Sequence, residues 1–334
     1  MHYPTDINLL LDAMRKVVTL TAQWCELRNL SHWRQSTYNV HQLKRLQRTA
    51  QNRKRGRKHS KAASPGQEQK NQALMMEAHQ RYLEVSQRHL DKARQTLVLI
   101  GQQGLSGPIE MALKVEIEGF MAHAVRQIGQ IKRRVMDGEA IPHDEKVFSI
   151  FEPHTEWISK GKAGVPVELG VKVCILEDQY QFILHPQVMQ KQTDDQVALV
   201  TQTQQRFPGL RVCSFDKGFH SPANQIALKE KLELAVLPRK GKLSQAAQEE
   251  EQAAPFAKAR RAHSAVESAI NALEVHGLDR CPDHGIEGFK RYVALAVLTR
   301  NIHRIGAILW QQEQQRAQRK TRYADRNTTC KLAA

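Results

Sequence analysis

The spacing of apolar residues changes near Gly138, and this change divides the chain into two parts of different fold class. Before Gly138 the apolar residues recur every three or four positions, which is the period of an amphipathic helix. After it, short β-rich runs bounded by Gly, Pro and polar turns alternate with helical segments. We therefore predict an α/β protein: a mixed sheet flanked by helices, preceded by a large, mainly helical region.

The helical part has a clear beginning and a clear internal turn. The stripe of the first helix consists of Leu9, Leu10, Ala13, Val17 and Leu20. Thr5 and Asp6, just before this stripe, are suited to cap its first turn. Residues 72–99 and 109–136 repeat the helical period and are separated by the Gly-rich segment 101–108. This arrangement predicts a helical hairpin.

The second part alternates strands with helices. Strands are predicted at 147–151, 167–176, 182–186, 210–215 and 234–238. Helices are predicted at 195–205, 222–231, 255–275 and 286–315. We accordingly divide the chain into a helical region (1–140), a core with its C-terminal helices (141–315) and a basic, disordered tail (316–334).

Positive charge is concentrated in one stretch. The chain has 50 Lys and Arg against 34 Asp and Glu, a net charge of +16, and residues 27–67 contain eleven Lys and Arg and no acid. Its densest cluster consists of Arg53, Lys54, Arg55, Arg57 and Lys58. We predict an exposed loop there that neutralises DNA phosphates, although a solvated linker without a partner has the same composition.

Cysteine usage and hydropathy exclude several classes of protein. The five cysteines lie far apart with no Cys-x-x-Cys pair, so neither a zinc ribbon nor a disulfide framework is indicated. The longest apolar run, 292–298, is much shorter than the roughly 18 residues that a bilayer span requires. No signal peptide opens the chain. We expect a soluble, cytoplasmic, nucleoid-associated protein without a membrane partner.

Two carboxylates are candidates for chemistry. Asp216 follows the apolar run 212–215, so it is expected at the carboxyl-terminal edge of a sheet, where α/β sites gather. Asp before Lys-Gly is also an ordinary turn residue. Glu267 shares a helical stripe with Arg260 and His263, a pattern that a solvated face also shows. Together the two carboxylates could bind Mg²⁺, with Mn²⁺ as an alternative.

Cations on the predicted loops could hold the DNA backbone beside these carboxylates. They are Lys160, Lys162, Arg239, Lys240 and Lys242. Each could equally be a solvated side chain.

Several segments carry a family resemblance. They are SFDKGFHSPANQIAL at 214–228, LPRKGK at 237–242, HSAVESAINALEVHGLDR at 263–280, SIFEPHTEWISKGK at 149–162 and HYPTD at 2–6. This set resembles the bacterial insertion-sequence transposases of the DDE type over nearly the whole chain. The resemblance implies a ribonuclease H-like core in which three acids bind Mg²⁺ for DNA cleavage and strand transfer. Asp216 matches the second acid and Glu267 the third. The family often has Tyr and Arg seven and four residues before this glutamate, whereas this chain has Arg260 and His263 there, and Arg260 and Arg261 are expected to compensate in part as DNA contacts.

The same resemblance implies that a part is missing. In similar transposases the first aspartate lies on the first core strand, shortly before the HYPTD segment, whereas this chain begins with Met1 directly at His2. We therefore expect a truncated copy without the first acid and the first core strand. Five acids could be considered as substitutes, and none matches the missing motif: Asp6, Glu152, Glu156, Asp194 and Asp195.

Three functional hypotheses remain open from the sequence. The first is transposase chemistry on double-stranded DNA at transposon ends and target, performed by a homo-oligomer. The second is a non-catalytic DNA-binding remnant, or a competitor of a full-length transposase. The third, an RNA-binding or scaffold protein, is disfavoured because only 6% of the residues are aromatic, which leaves few side chains for stacking on bases.

Overall fold

The computed structural model describes residues 4–59, 65–105, 107–159, 167–189, 196–278 and 280–332. Over these residues the protein is a predominantly helical, mixed α/β chain. The helices are α1 (Asp6–Leu27), α2 (Ser36–His59), α3 (Pro65–Gln102), α4 (Pro108–Val135), α5 (Gln196–Arg206), α6 (Pro222–Lys231), α7 (Gln245–Gln252), α8 (Ala254–Ala262), α9 (Ala265–Leu273) and α10 (Gly285–Leu332). The strands are β1 (Glu156–Ser159), β2 (Val167–Gly170), β3 (Val173–Glu177), β4 (Ile183–Val188), β5 (Val212–Ser214) and β6 (Leu234–Val236).

The chain forms two compact units, Met1–Leu169 and Gly170–Ala334. The first contains the helices α1 to α4, and the second contains the strands β3 to β6 with the remaining helices. The predicted limit at residue 140 lies within the first of these units. None of the helices in the described ranges combines the length and apolar character that a membrane span needs.

Helix α1 is the centre of the first unit. Thr5 caps it, because the Thr5 hydroxyl accepts the N–H of Asn8, as the capping signal predicted. The whole predicted stripe, from Leu9 to Leu20, is buried. The helix packs against α2, α3 and α4, and Trp24 and Tyr82 are among the largest fully buried side chains of this core.

The predicted helical hairpin is present as α3 and α4. Between them the backbone of Gly104 has φ +80° and that of Gly107 has φ +107°, conformations that favour glycine. The prediction of an exposed loop at residues 53–59 is wrong, because α2 continues to His59. The N-terminal half of α2 buries Leu43 and Leu46 in the core, and this burial supports helix nucleation upstream of the basic cluster.

In the described part, the strands pair as three two-stranded sheets, β1–β2, β3–β4 and β5–β6. β3 and β4 are antiparallel, from Val173 opposite Val188 to Glu177 opposite Ile183, with a register shift after Leu176. β5 and β6 are parallel, which requires a crossover, and α6 provides it. The alternation of strands with helices is confirmed. In the described residues, however, the strands form three small sheets and not one mixed sheet.

Several predicted bounds need correction. Residues 147–151 are irregular rather than a strand, and the predicted strand 167–176 is divided into β2 and β3. The predicted helix 255–275 is divided into α8 and α9. Helix α10 continues to Leu332, so the backbone is helical in most of the segment for which disorder was expected. A polar composition without glycine or proline is compatible with a solvated helix, and 316–332 has that composition.

Candidate acidic site and nucleic-acid interface

Asp216 lies directly beyond β5, at the carboxyl-terminal end of the parallel pair. Ser214 pairs with Val236, and the N–H of Phe215 donates to the Val236 carbonyl oxygen at 2.9 Å. The Asp216 side chain is exposed, and its Oδ1 accepts the N–H of Gly218 at 2.8 Å. The carboxylate therefore caps a short turn at the sheet edge, the place that the strand pattern predicted.

The residue before Asp216, Phe215, is buried and fixes the position of the acid. Phe215 is buried with Leu228 and Leu237 in one apolar cluster. Burial raises the pKa of the neighbouring Cys213 thiol to about 12. Because the thiolate is the reactive form of cysteine, Cys213 is a packing residue at neutral pH. The chemistry available at this edge is that of the carboxylate.

A basic loop after β6 contacts the turn that follows Asp216. The Lys240 Nζ donates to the carbonyl oxygen of Gly218 at 2.5 Å, and the Lys240 N–H donates to the His220 Nδ1 at 3.4 Å. Lys240 and Lys242 are both exposed. At least one predicted DNA-contacting cation is thus held beside the turn that carries the acid.

Two other predicted DNA contacts are already ion-paired. The Arg239 Nη2 donates to the Glu250 Oε2 at 2.6 Å, and the Arg239 N–H donates to the Glu251 Oε1 at 2.9 Å. Lys229 and Arg239 together hold the pKa of Glu250 below its usual value. The Arg260 Nη1 lies 3.5 Å from the Glu251 Oε2. These arginines therefore tie α6, α7 and α8 together as well as carrying positive charge.

Glu267 lies on α9, just after a break in the helical path. The predicted helix 255–275 is interrupted at His263 and Ser264, where the Ser264 N–H donates to the carbonyl oxygen of Arg261 at 3.4 Å. The three-residue step of this bond is tighter than the α-helical step. The stripe that includes Arg260, His263 and Glu267 in the sequence is therefore not on one continuous helix.

The exposed Glu267 carboxylate is not part of a complete metal site in the described residues. Helix α9 buries Ala269 and Leu273, on the side that packs into the unit, while Glu267 is exposed. Within the described ranges, no three His, Cys, Asp or Glu side chains come close enough together to hold a metal ion. Asp216 and Glu267 are thus exposed carboxylates that belong to no group of three possible ligands in the described residues.

The acids considered as substitutes have other surroundings. The Asp6 Oδ2 accepts the Nε of Arg134 at 2.7 Å in the first unit. The Glu152 Oε2 lies 3.6 Å from the His154 Nδ1, and Glu156 begins β1. Four predicted candidates lie outside the described residues: Lys160, Lys162, Asp194 and Asp195.

Helix α2 presents a second candidate surface, which we call the α2 basic face. It consists of the exposed residues Tyr38, His41, Lys44, Arg45, Arg48, Thr49 and Asn52. The opposite side of the helix buries Leu43, Leu46 and Ala50. There the Gln47 Nε2 donates to the Asn8 Oδ1 at 2.7 Å, which attaches α2 to α1. The apolar side thus directs the basic face toward solvent.

The cations of the α2 basic face have no ion pair among the described residues, whereas several other cations of the first unit do. Arg28 forms a two-point ion pair with Glu110, and Arg133 binds two carboxylates. Among the described residues, no carboxylate pairs with Lys44, Arg45 or Arg48. The acid-free composition of 27–67 was the sequence signal for this face, although only its distal cluster was singled out. The side chains of that cluster, Arg53, Lys54, Arg55, Arg57 and Lys58, are outside the described part.

Comparison with protein-family models, with curated proteins and with solved structures gave no match for this chain. Two features of the described residues bear on function: the acidic strand end at Asp216 and the α2 basic face.

Proposed function

We propose that the chain is a DNA-processing protein of the DDE transposase type with a ribonuclease H-like core, in which Asp216 and Glu267 supply two of three acids. The observation that supports this most strongly is the exposed Asp216 carboxylate at the carboxyl end of a parallel strand pair, beside Lys240. An acid at a strand end can bind a divalent ion, and a nearby cation can bind phosphate. A bound Mg²⁺ or Mn²⁺ would stabilise charge on the oxygens exchanged at phosphorus.

The residues fit the ion in chemistry but not in number. Mg²⁺ prefers carboxylate oxygens, and both Asp216 and Glu267 present exposed carboxylates. One Asp216 oxygen already accepts the N–H of Gly218, and no three possible ligands come together in the described residues. A complete metal site would therefore need a further ligand.

Cleavage of duplex DNA tests the catalytic proposal. The substrate is the DNA that flanks the coding region, incubated with the protein and Mg²⁺ or Mn²⁺, and the readouts are strand nicking and strand transfer. The proposal expects D216N/E267Q to abolish both reactions while binding of DNA is retained. The matched control is E230Q/E274Q, which neutralises two exposed carboxylates of the same unit. Metal-independent cleavage, equal activity of the two variants, or no cleavage by the wild type would overturn the catalytic assignment.

A second function, DNA binding without catalysis, is favoured by the α2 basic face. An α-helix fits the major groove of B-DNA, and α2 presents one exposed side with no acid along its length. Arginine can bond guanine bidentately and asparagine can bond adenine, which are the side-chain types at Arg45, Arg48 and Asn52. Lys44 on the same face can contact phosphate. We propose that this face lies against duplex DNA, in the nucleoid of the cell.

Binding assays on a short duplex test the second function. We expect K44A/R45A/R48A to weaken binding at least tenfold, because the variant removes three side chains that bind phosphates or bases. The control R81A/R88A/R126A removes the same charge from exposed positions on α3 and α4 and should bind almost as the wild type does. An equal loss of affinity in both variants would show that only net charge matters. Tighter binding to single-stranded RNA than to duplex DNA would also overturn the assignment.

A further inference from the structure

Helix α10 has one side committed to the second unit. Val293 and Val297 are buried, and α10 packs against β4. Asn301 forms two hydrogen bonds with the backbone of Ile183, one to its N–H and one to its carbonyl oxygen, each of 3.0 Å. The Arg304 Nε donates to the carbonyl oxygen of Tyr180 at 2.9 Å. These bonds fix the rotation of the helix about its own axis.

The side turned away from the unit is apolar. Five residues form it: Leu295 (59% exposed), Leu298 (56%), Ile302 (58%), Ile305 (48%) and Leu309 (56%). Their successive spacings alternate between three and four residues, which is the a and d pattern of a heptad repeat. We call this set the α10 seam. Trp310, 65% exposed, stands at its edge.

Isolated exposed apolar residues are common on protein surfaces, but a continuous stripe is not. The seam extends over 295–309, which corresponds to about 21 Å of helix. It lies on a helix that a network of buried residues and backbone hydrogen bonds holds in place. The seam is therefore a fixed apolar surface, and a partner could bind it without a change in the position of α10.

We propose that the α10 seam binds the same seam of a second copy of this chain. A heptad stripe of Leu and Ile is the surface that another heptad stripe covers by knobs-into-holes packing, and a two-fold axis makes one stripe complementary to itself. The e positions beside the seam are Thr299 and Gly306, and the g positions are Asn301 and Ile308. None of these carries a charge, so a second copy would meet no like-charge repulsion along the seam.

The local geometry also permits the close approach that such packing needs. Gly306 lies on the exposed side, and an added Cβ there would meet no atom within 4 Å. A small residue beside Ile302 and Ile305 leaves space for a knob from the partner helix. Trp310 lies one helical turn after Gly306. It can pack against the helix of the second copy, and tryptophan often has such an anchoring role at interfaces.

The area available matches a modest but specific interface. Each half-exposed seam side chain and Trp310 would contribute on the order of 100 Å², so two copies would bury roughly 1,000 Å², near the lower limit for specific association. The dimer is therefore expected to be reversible and to depend on concentration. It does not depend on DNA, on Asp216 or on the proposed function.

Sedimentation of the full chain, freed of nucleic acid by nuclease and high salt, tests the proposal. The wild type should sediment as a dimer that dissociates on dilution, and I302E/I305E should be monomeric at every concentration. Because both residues are exposed, the thermal unfolding midpoint should hardly change. The control I226E alters an isoleucine that is 63% exposed on α6 of the same unit, and it should remain dimeric.

Cross-linking identifies the surface directly. In a chain whose native Cys281 and Cys330 are replaced by serine, a cysteine placed by I302C should be linked to its copy by a short bis-maleimide reagent, while I226C should not. A wild type that is monomeric up to its solubility limit would overturn the proposal. A dimer that persists in I302E/I305E, or equal cross-linking of both cysteines, would also overturn it, because the contact would then lie elsewhere.

Discussion

At the scale of single residues, Arg239 and Lys240 show how neighbours of equal charge take different roles. Arg239 is bonded to Glu250 and to Gln225, so its guanidinium holds elements of the second unit together. Lys240 reaches the turn after Asp216, and its side chain is exposed. A phosphate could displace the single carbonyl contact of Lys240 more readily than the ion pair of Arg239. Of these two residues, Lys240 is the stronger candidate for DNA contact.

His89 gives a prediction about pH. Burial, together with Lys92 and Arg88, lowers the pKa of His89 below its usual value, and its buried Nε2 has no hydrogen-bond partner among the described residues. A histidine whose folded pKa is lowered binds protons more strongly when unfolded, so stability is lost as the pH falls through about 6.5, the unfolded value. We expect the first unit to melt at a lower temperature at pH 5 than at pH 7.5.

Substitution of His89 separates its contribution to the pH dependence of stability from that of other groups. H89Q should make the pH dependence of the unfolding midpoint shallower, while H41Q, at an exposed site on α2, should leave it as in the wild type. Thermal melts followed by circular dichroism across this pH range provide the measurement. Identical pH profiles for H89Q and the wild type would refute the assignment. Since burial also lowers the pKa of His123, some dependence should remain in H89Q.

At the scale of elements, the hairpin of α3 and α4 depends on the conformation of one glycine. Gly107, the residue before α4, has φ +107° and ψ −176°, a region that is essentially restricted to glycine. G107A should destabilise the first unit by roughly 1–3 kcal/mol. Gly119 lies exposed inside α4 with open space around it, so G119A should stabilise by about 0.5–1 kcal/mol. Urea unfolding of both variants checks the opposite signs, and two changes of the same sign would contradict this account.

The elements differ in how well the sequence predicted them, for physical reasons. α1, α5 and α6 were predicted closely because each combines a capping or helix-boundary signal with an apolar period. The run 147–151 has strand-forming residues but no partner strand in the described part, and its Phe148 and Ile150 are buried without a ladder. β-propensity describes fit to a half-buried surface, and such a surface can also be irregular.

The candidate site was predictable only in part. The position of Asp216 followed from local rules, because a buried strand and a turn signal are adjacent in sequence. The break between α8 and α9 could not be predicted from the sequence. His263 and Ser264 keep helical backbone angles, and no glycine or proline marks the break. The exposed loop predicted at the basic cluster is wrong for a different reason. The turn-forming residues Ser64, Pro65 and Gly66 suggest a loop, but they come after the cluster, and Lys and Arg are good helix formers, so α2 continues to His59.

At the scale of the whole molecule, the uneven distribution of charge should control binding to DNA. Eleven Lys and Arg lie within residues 27–67 of a chain whose net charge is +16. Neutralising Arg53, Lys54, Arg55, Arg57 and Lys58 with glutamine should reduce the slope of log Kd against log salt by about 0.9 for each phosphate that the protein no longer neutralises. Titrations at several salt concentrations give this slope.

A charge-matched variant provides the comparison. It replaces five exposed cations elsewhere in the first unit: Arg15, Lys70, Arg81, Arg88 and Arg126. Its slope should stay near that of the wild type, because the change in net charge is the same but the cluster is intact. A wild-type affinity that does not change with salt would contradict a localised electrostatic contact. A slope that is reduced equally in both variants would contradict it too.

The acid-free composition of α2 also affects the helix itself. Lys44 and Arg48 are one turn apart, and like charges at this spacing destabilise a helix by about 0.2–0.5 kcal/mol. No acid between residues 27 and 67 relieves this repulsion from within the segment. The repulsion is small beside the burial of Leu43, Leu46 and Ala50, which holds α2 against the first unit. The same burial that positions the basic face therefore also keeps its repelling charges together, and a bound polyanion would relieve that repulsion without changing the helix.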